Sequence, residues 1–142
     1  MTAGQSHITS VVVERSDRDV FAFMADAGKL DRWSFGTWRT EITPDGCVLG
    51  TSLFDCAKTY VRIDADPARL SIDYLLGSEP RKLAPRITAR IVPGGTVGLA
   101  PSASVLSLIA WRTQSMDDNR WRRLVASHEL EVLLIKSLLE TG

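Results

Sequence analysis

The stretch VVVERSDRDVFAFMADAGKLDRW, Val11 to Trp33, changes its period part-way along. It begins inside a β-branched run, with Ile8, Val11, Val12 and Val13, which reads as a strand. Charge follows at once. Ser16 is a good N-cap, and Asp17 and Asp19 fall in the first turn, where the helix dipole favours negative charge. Val20, Phe23 and Met24 then recur at helical spacing. Gly28 breaks the run, and a second short helix is predicted over about Lys29–Trp33.

Working outward, the period becomes two from Thr37 onward. Strands are predicted near Thr37–Ile42, Val48–Asp55, Lys58–Asp64, Leu70–Leu76, Pro85–Val92 and Ser104–Thr113. Turn signals separate them at Pro44-Asp45-Gly46, Asp66-Pro67-Ala68, Gly77-Ser78-Glu79-Pro80 and Pro93-Gly94-Gly95. Strands joined by short turns imply an antiparallel meander. The chain then closes with MDDNRWRRLVASHELEVLLIKSLLE, Met116 to Glu140, capped at Ser115 or Asp117 and free of proline and glycine. At 1.5 Å per residue this helix is roughly 36 Å long. The expected class is α+β, a seven-stranded curved antiparallel sheet wrapped around a long C-terminal helix. A sheet that bends away from a straight helix leaves room for a ligand between them.

The totals bound the function. The 142 residues fit one domain, 1–142. Seventeen basic residues balance seventeen acidic ones, so no global field favours nucleic acid or anionic lipid. Cys47 and Cys56 read as reduced packing residues, with no metal-type spacing to the two histidines. Neither metal nor cofactor is expected. The start MTAGQSH lacks a basic, apolar targeting pattern. No apolar run approaches the ~20 residues of a membrane span. The expected address is the cytoplasm, with no membrane insertion.

The same opening stretch resembles the START/Bet v 1-like (SRPBCC) superfamily, in a polyketide cyclase/dehydrase-like form. The resemblance rests on Val13, Val20-Phe21, Asp26 and Trp33, and on RIDADPARLSIDY, Arg62 to Tyr74, as a strand–Asp-Pro turn–strand hairpin. The terminal helix agrees, so it spans nearly the whole chain. It implies the helix-grip fold, with an internal cavity used by carriers, receptors and cyclases alike.

His128 lies in the middle of the apolar stripe of the long helix. Trp121, Leu124, Val125, Val132, Ile135 and Leu139 all lie within about 60° of it. A neutral imidazole there is a candidate acid or base. Glu131 lies about 60° off the stripe centre, at the cavity edge or facing water. On the strands, alternation turns Val61, Ile72, Tyr74 and Ile87 inward. Tyr74 would lend a hydroxyl to an apolar wall, as an orienting or oxyanion donor. The same alternation turns Arg86 and Arg90 outward; an inward Arg90 would bind an anion or enolate. In DRWSFGTWRTEI, Asp31 to Ile42, Gly36 would permit a sharp turn. Trp33 would line the pocket, with Phe35 or Trp38 beside it. The expected ligand set is thus Trp33, Phe35, Trp38, Val61, Ile72, Tyr74, Ile87, Trp121, Val125, His128 and Val132, with His128 and Tyr74 as catalytic candidates.

Two motifs carry less. GGTVG, Gly94 to Gly98, has no strand–turn–helix unit around it and reads as a hairpin loop. RWRR, Arg120 to Arg123, follows Asp117 and Asp118 and reads as a solvated face. Leu130, Leu133 and Leu134 form an outer stripe that points to a homodimer. Three functions therefore compete: a hydrophobic-ligand binder (lipid, polyketide or aromatic), a cyclase/aromatase using His128, and a homodimeric interaction module.

Overall fold

Alternation is clearest in the strand Ser104–Trp111, where Ser104, Leu106, Leu108 and Ala110 are buried and the residues between them are not. One face of a pleated strand meets the core, and the other does not. The computed structural model describes residues 4–142. The first residues of the start read above as lacking a targeting pattern, Met1–Ala3, lie outside the described residues.

The elements are β1 (Ser6–Val13), α1 (Asp17–Ala25), α2 (Leu30–Trp33), β2 (Arg39–Ile42), β3 (Val48–Thr51), β4 (Lys58–Asp66), β5 (Ser71–Gly77), β6 (Ala84–Pro93), β7 (Ser104–Trp111) and α3 (Asp118–Thr141). Seven strands form one open curved antiparallel sheet in the order β1-β7-β6-β5-β4-β3-β2. The capping chemistry is as the sequence requires. Ser16 accepts a hydrogen bond from the Asp19 N–H, and Asp117 accepts one from the Arg120 N–H at 2.8 Å.

The helix α3 meets the sheet differently at its two ends. Its C-terminal half is sewn to β1 and the residues after it. Arg15 Nη1 donates to the Leu139 carbonyl at 2.7 Å, and Lys136 Nζ donates to the Val12 carbonyl at 2.7 Å. Here Val132, Ile135 and Leu139 pack with Val13, Val20, Met24, Ile91, Leu106 and Leu108. Each fully buried aliphatic side chain contributes about 1.5–3 kcal/mol. The N-terminal end rests on a smaller cluster of Ala110, Met116 and Trp121. It is anchored by Arg112 Nη2, which donates to Asp118 Oδ1 at 2.8 Å.

Three strands are shorter than predicted: β7 stops at Trp111 rather than Thr113, and β2 and β3 are cut for local reasons. Phe35–Thr37 forms a 3-10 turn, so β2 begins only at Arg39. The end of β3 is cut at Thr51 by a tight loop in which the Ser52 N–H donates to the Ala57 carbonyl and Cys56 adopts φ 59°. The glycine that matters is also different from the one expected. Gly36 has no positive φ, and a Cβ there would meet nothing within 4 Å. At Gly50 in β3 a Cβ would fall 2.3 Å from Thr37 Cγ2. Gly50 therefore lets the 3-10 turn settle onto the sheet.

Candidate functional site

Between the two anchored ends of α3 lies a cavity of about 350 Å³. Its floor comes from the outer parts of β4, β5 and β6: Thr59, Val61, Tyr74, Leu76 and Ile87. Its roof is the middle of α3, with Leu124, Ser127, His128 and Glu131. Trp33 and Thr37 close the inner side, and Ser52, Phe54 and Asp55 close another. Across the mouth, Arg123 Nη2 donates to Asp55 Oδ2 at 3.2 Å, and its guanidinium lies 4.9 Å from the centre of the Phe54 ring.

Among the described residues, six buried side-chain polar atoms lack a hydrogen-bond partner. Five of them belong to residues of this cavity: Trp33 Nε1, Thr37 Oγ1, Arg86 Nε, His128 Nδ1 and Glu131 Oε1. The sixth, His7 Nε2, sits 2.9 Å from Glu129 Oε1 without hydrogen-bond geometry. Native proteins pair the great majority of buried polar atoms, so these five residues give a largely apolar cavity a set of unused hydrogen-bonding groups.

Glu131 is the least expected member. It is 3% exposed, far from the water-facing position its helical angle allowed. The Phe35 N–H donates to its Oε2 at 2.9 Å, while Oε1 stands 3.8 Å from His128 Nε2, beyond hydrogen-bond reach. Burial raises the Glu131 pKa to about 8, against the opposing pull of the Phe35 N–H. Burial lowers the His128 pKa to about 4, helped by His7 and opposed by Glu129. Near neutral pH both groups are therefore uncharged, a carboxylic acid beside a neutral imidazole. The Tyr74 hydroxyl donates to the Met24 carbonyl at 2.6 Å, and burial raises its pKa. Its proton is committed to the backbone, which leaves the oxygen as an acceptor rather than the oxyanion donor expected. The Tyr74 ring meets Trp33 edge to face, with centroids 5.9 Å apart.

Of the predicted set, Trp33, Val61, Tyr74, Ile87 and His128 come together around the cavity. Six do not. Ile72 and Val132 share the inward face but lie deeper, in the close-packed core. Trp121 and Val125 belong to the small cluster under the start of α3. Phe35 turns outward to Phe54, with ring centroids 6.2 Å apart. Trp38 ends the 3-10 turn in helical geometry, so it does not lie on the strand face where alternation put it. It is 38% exposed, with the Arg39 guanidinium 4.4 Å from its ring centre. Trp111, at the end of β7, is 41% exposed and borders the cavity.

Arg86 was missed as well, and its cause is visible. Tyr74 pairs with Ile87, but Leu75 pairs with Pro85, so Arg86 is an extra residue in β6. Such a bulge breaks alternation, and Arg86 joins Ile87 in lining the cavity. Pro85 was the available signal, because a proline inside a strand run marks an edge or a bulge. Arg90, beyond the bulge, is exposed as alternation requires.

No family model matches the chain, and no curated protein matches its sequence. Solved structures do match its fold. A START superfamily protein from Mycobacterium smegmatis superposes with a TM-score of 0.65 at 15% identity, over 97% of this chain and 99% of the other. The Zhui aromatase/cyclase from Streptomyces sp. R1128 gives 0.68 at 18% identity, over 95% and 93%. An uncharacterised protein from Bacillus thuringiensis gives 0.71 at 12% identity, over 94% and 98%. The chain therefore has the START/Bet v 1-like helix-grip fold. Among the described residues, no helix is long and apolar enough to cross a membrane.

Proposed function

We propose that this protein binds a mainly hydrophobic small molecule with polar substituents (a lipid, polyketide or aromatic compound) in the cavity beneath α3. The observation that carries this reading is the set of five unpartnered polar atoms around one space. A volume of about 350 Å³ lies within the usual range of small-molecule sites. The fold shared with a START superfamily protein and an aromatase/cyclase agrees with it. The test is uptake of the neutral fluorophore phenylnaphthylamine by the wild type and by Thr59→Trp, which fills the cavity from its floor. Saturable uptake that Thr59→Trp abolishes, with an unchanged circular dichroism spectrum, is the expected result. No uptake, or uptake indifferent to Thr59→Trp, would reject the reading.

A second reading, a polyketide cyclase/aromatase-like enzyme, is favoured by Glu131 and His128 lining the same cavity. Catalysis is best served by groups whose pKa lies near the working pH. By that measure Glu131 is the better acid for a carbonyl oxygen or departing hydroxyl, and His128 serves as a neutral hydrogen-bonding partner. On a reactive poly-ketone chain, Glu131→Gln should slow ring closure by about 100-fold or more with binding unchanged. Equal rates in the two proteins would leave binding alone.

The homodimer reading rests on Leu130 and Leu133, 56% and 57% exposed on the outer side of α3. Leu134, placed with them from the sequence, is partly buried against the core instead. Leu133→Glu should convert a dimer to a monomer in sedimentation; a wild type already monomeric would remove this reading.

A further inference from the structure

The outer end of the cavity differs from the inner end in charge. Arg86 enters it from the bulge in β6, half-buried, with Nε shielded from water and unpartnered. The exposed Arg120 borders the cavity from the first turn of α3; the burial of Arg86 itself and, second, the nearby Arg120 charge lower the Arg86 pKa. The carboxylates on neighbouring segments are occupied elsewhere. Asp118 holds Arg112, Asp117 caps α3 through the Arg120 N–H, and Asp55 holds Arg123. Among the described residues, neither Arg86 nor Arg120 has an ion-pair partner. Two cations therefore face one space with nothing between them to balance their charge.

Resting on the binding reading above, we infer that this end is an anion subsite, in which Arg86, backed by Arg120, receives the acidic group of an amphipathic organic acid. A guanidinium suits this task, because its fork matches a carboxylate or sulfonate in two parallel hydrogen bonds. Partial burial strengthens such a contact relative to one on the open surface. The rest of the cavity completes the ligand. Its middle is apolar, with Val61, Leu76, Ile87 and Leu124. Its inner end, at Glu131, lies about 16 Å along α3 from Arg120 at 1.5 Å per residue. There the indole of Trp33, the imidazole of His128 and the carboxyl of Glu131 offer donors and acceptors without charge. The ligand so defined has one anionic end, an apolar body and a neutral hydroxyl or carbonyl at the far end.

The test compares two fluorophores that differ in one group. Anilinonaphthalene sulfonate carries a sulfonate, and phenylnaphthylamine is the same aromatic framework without it. Titrated at physiological ionic strength, the wild type should bind the sulfonate about tenfold more tightly or better, as for one charge-assisted hydrogen-bonded contact. Arg86→Met keeps the aliphatic stem and should erase that preference while still taking up phenylnaphthylamine, which shows that the cavity is folded. Arg86→Lys should retain part of it. Arg69→Met, on the exposed β4–β5 turn, should change nothing. Equal affinities for the two probes in the wild type, or a preference that survives Arg86→Met, would overturn the inference while leaving the cavity intact. Failure of both probes to bind the wild type would overturn both this inference and the binding reading.

Discussion

The two halves of α3 carry the same kind of apolar stripe, yet one closes a dry core and the other roofs a cavity. From Val132 to Leu139 the stripe meets α1, β1 and β7 in close packing, and the helix is held to the residues around β1 by Arg15 donating to the Leu139 carbonyl and Lys136 donating to the Val12 carbonyl. From Leu124 to Glu131 the same stripe stands over the outer parts of β4, β5 and β6 without filling the gap. The difference lies in what comes from the sheet. Deep positions supply Ile72, Ile91, Leu106 and Leu108, which complete the contact. Outer positions supply Thr59, Tyr74 and the bulged Arg86, which border a gap also lined by unpaired polar atoms of Trp33, Thr37, His128 and Glu131. Close packing lies at one end of the helix, and open space with unpaired polar atoms at the other.

The largest expected effects break that contrast directly. Ile135→Ala, in the dry half, should cost about 2–5 kcal/mol, because a rigid core cannot collapse around the hole. Leu76→Ala, in the cavity wall, should cost about 1 kcal/mol or less, because its side chain already borders open space. Urea denaturation of the two variants compares them, and equal costs would remove the distinction between the halves. Gly50→Ala comes next, at about 1–3 kcal/mol, since its methyl group must displace Thr37. Gly36→Ala should be within about 0.5 kcal/mol of the wild type. If the order of the two glycines were reversed, the wall would not be built on the Thr37–Gly50 contact.

A smaller effect sharpens the picture through pH. Glu131 binds its proton more tightly when folded, at about 8 against an ordinary 4.5, so its contribution to stability falls as pH rises through that interval. His128 binds its proton less tightly when folded, at about 4 against 6.5, so its contribution rises as pH rises between those values. The two oppose one another below pH 6.5, and above it Glu131 acts alone. Surface carboxylates held low, such as Asp118 beside Arg112, titrate below this upper window. From pH 6.5 to 8 the wild type should therefore lose stability, on the order of 1 kcal/mol, and Glu131→Gln should not. Parallel melting curves for the two proteins would show that Glu131 is not a buried acid.

Periodicity makes a face legible but not a depth. Alternation along β5 turns Ile72 and Tyr74 to the same side, yet only Tyr74 reaches the cavity. The helical stripe likewise could not separate Val132 in the core from His128 in the roof. Depth is fixed by where α3 parts from the sheet, a property of the whole fold. Arg86 was hidden because one extra residue inverts the alternation, and Trp38 because a 3-10 turn replaced the expected start of a strand. Glu131 carried no local mark beyond its angle on the helix. The architecture itself was legible, because caps, turn residues and the two periods agree with one another along the chain.

The central claim is that the polar atoms beneath α3 await a ligand. Native mass spectrometry of the freshly purified protein, with extraction of whatever it carries, tests this most directly. The account predicts a bound organic molecule, or its uptake from added lipid and polyketide extracts, that is absent from Thr59→Trp. A bare chain that takes up nothing, or an adduct equally present in Thr59→Trp, would contradict it.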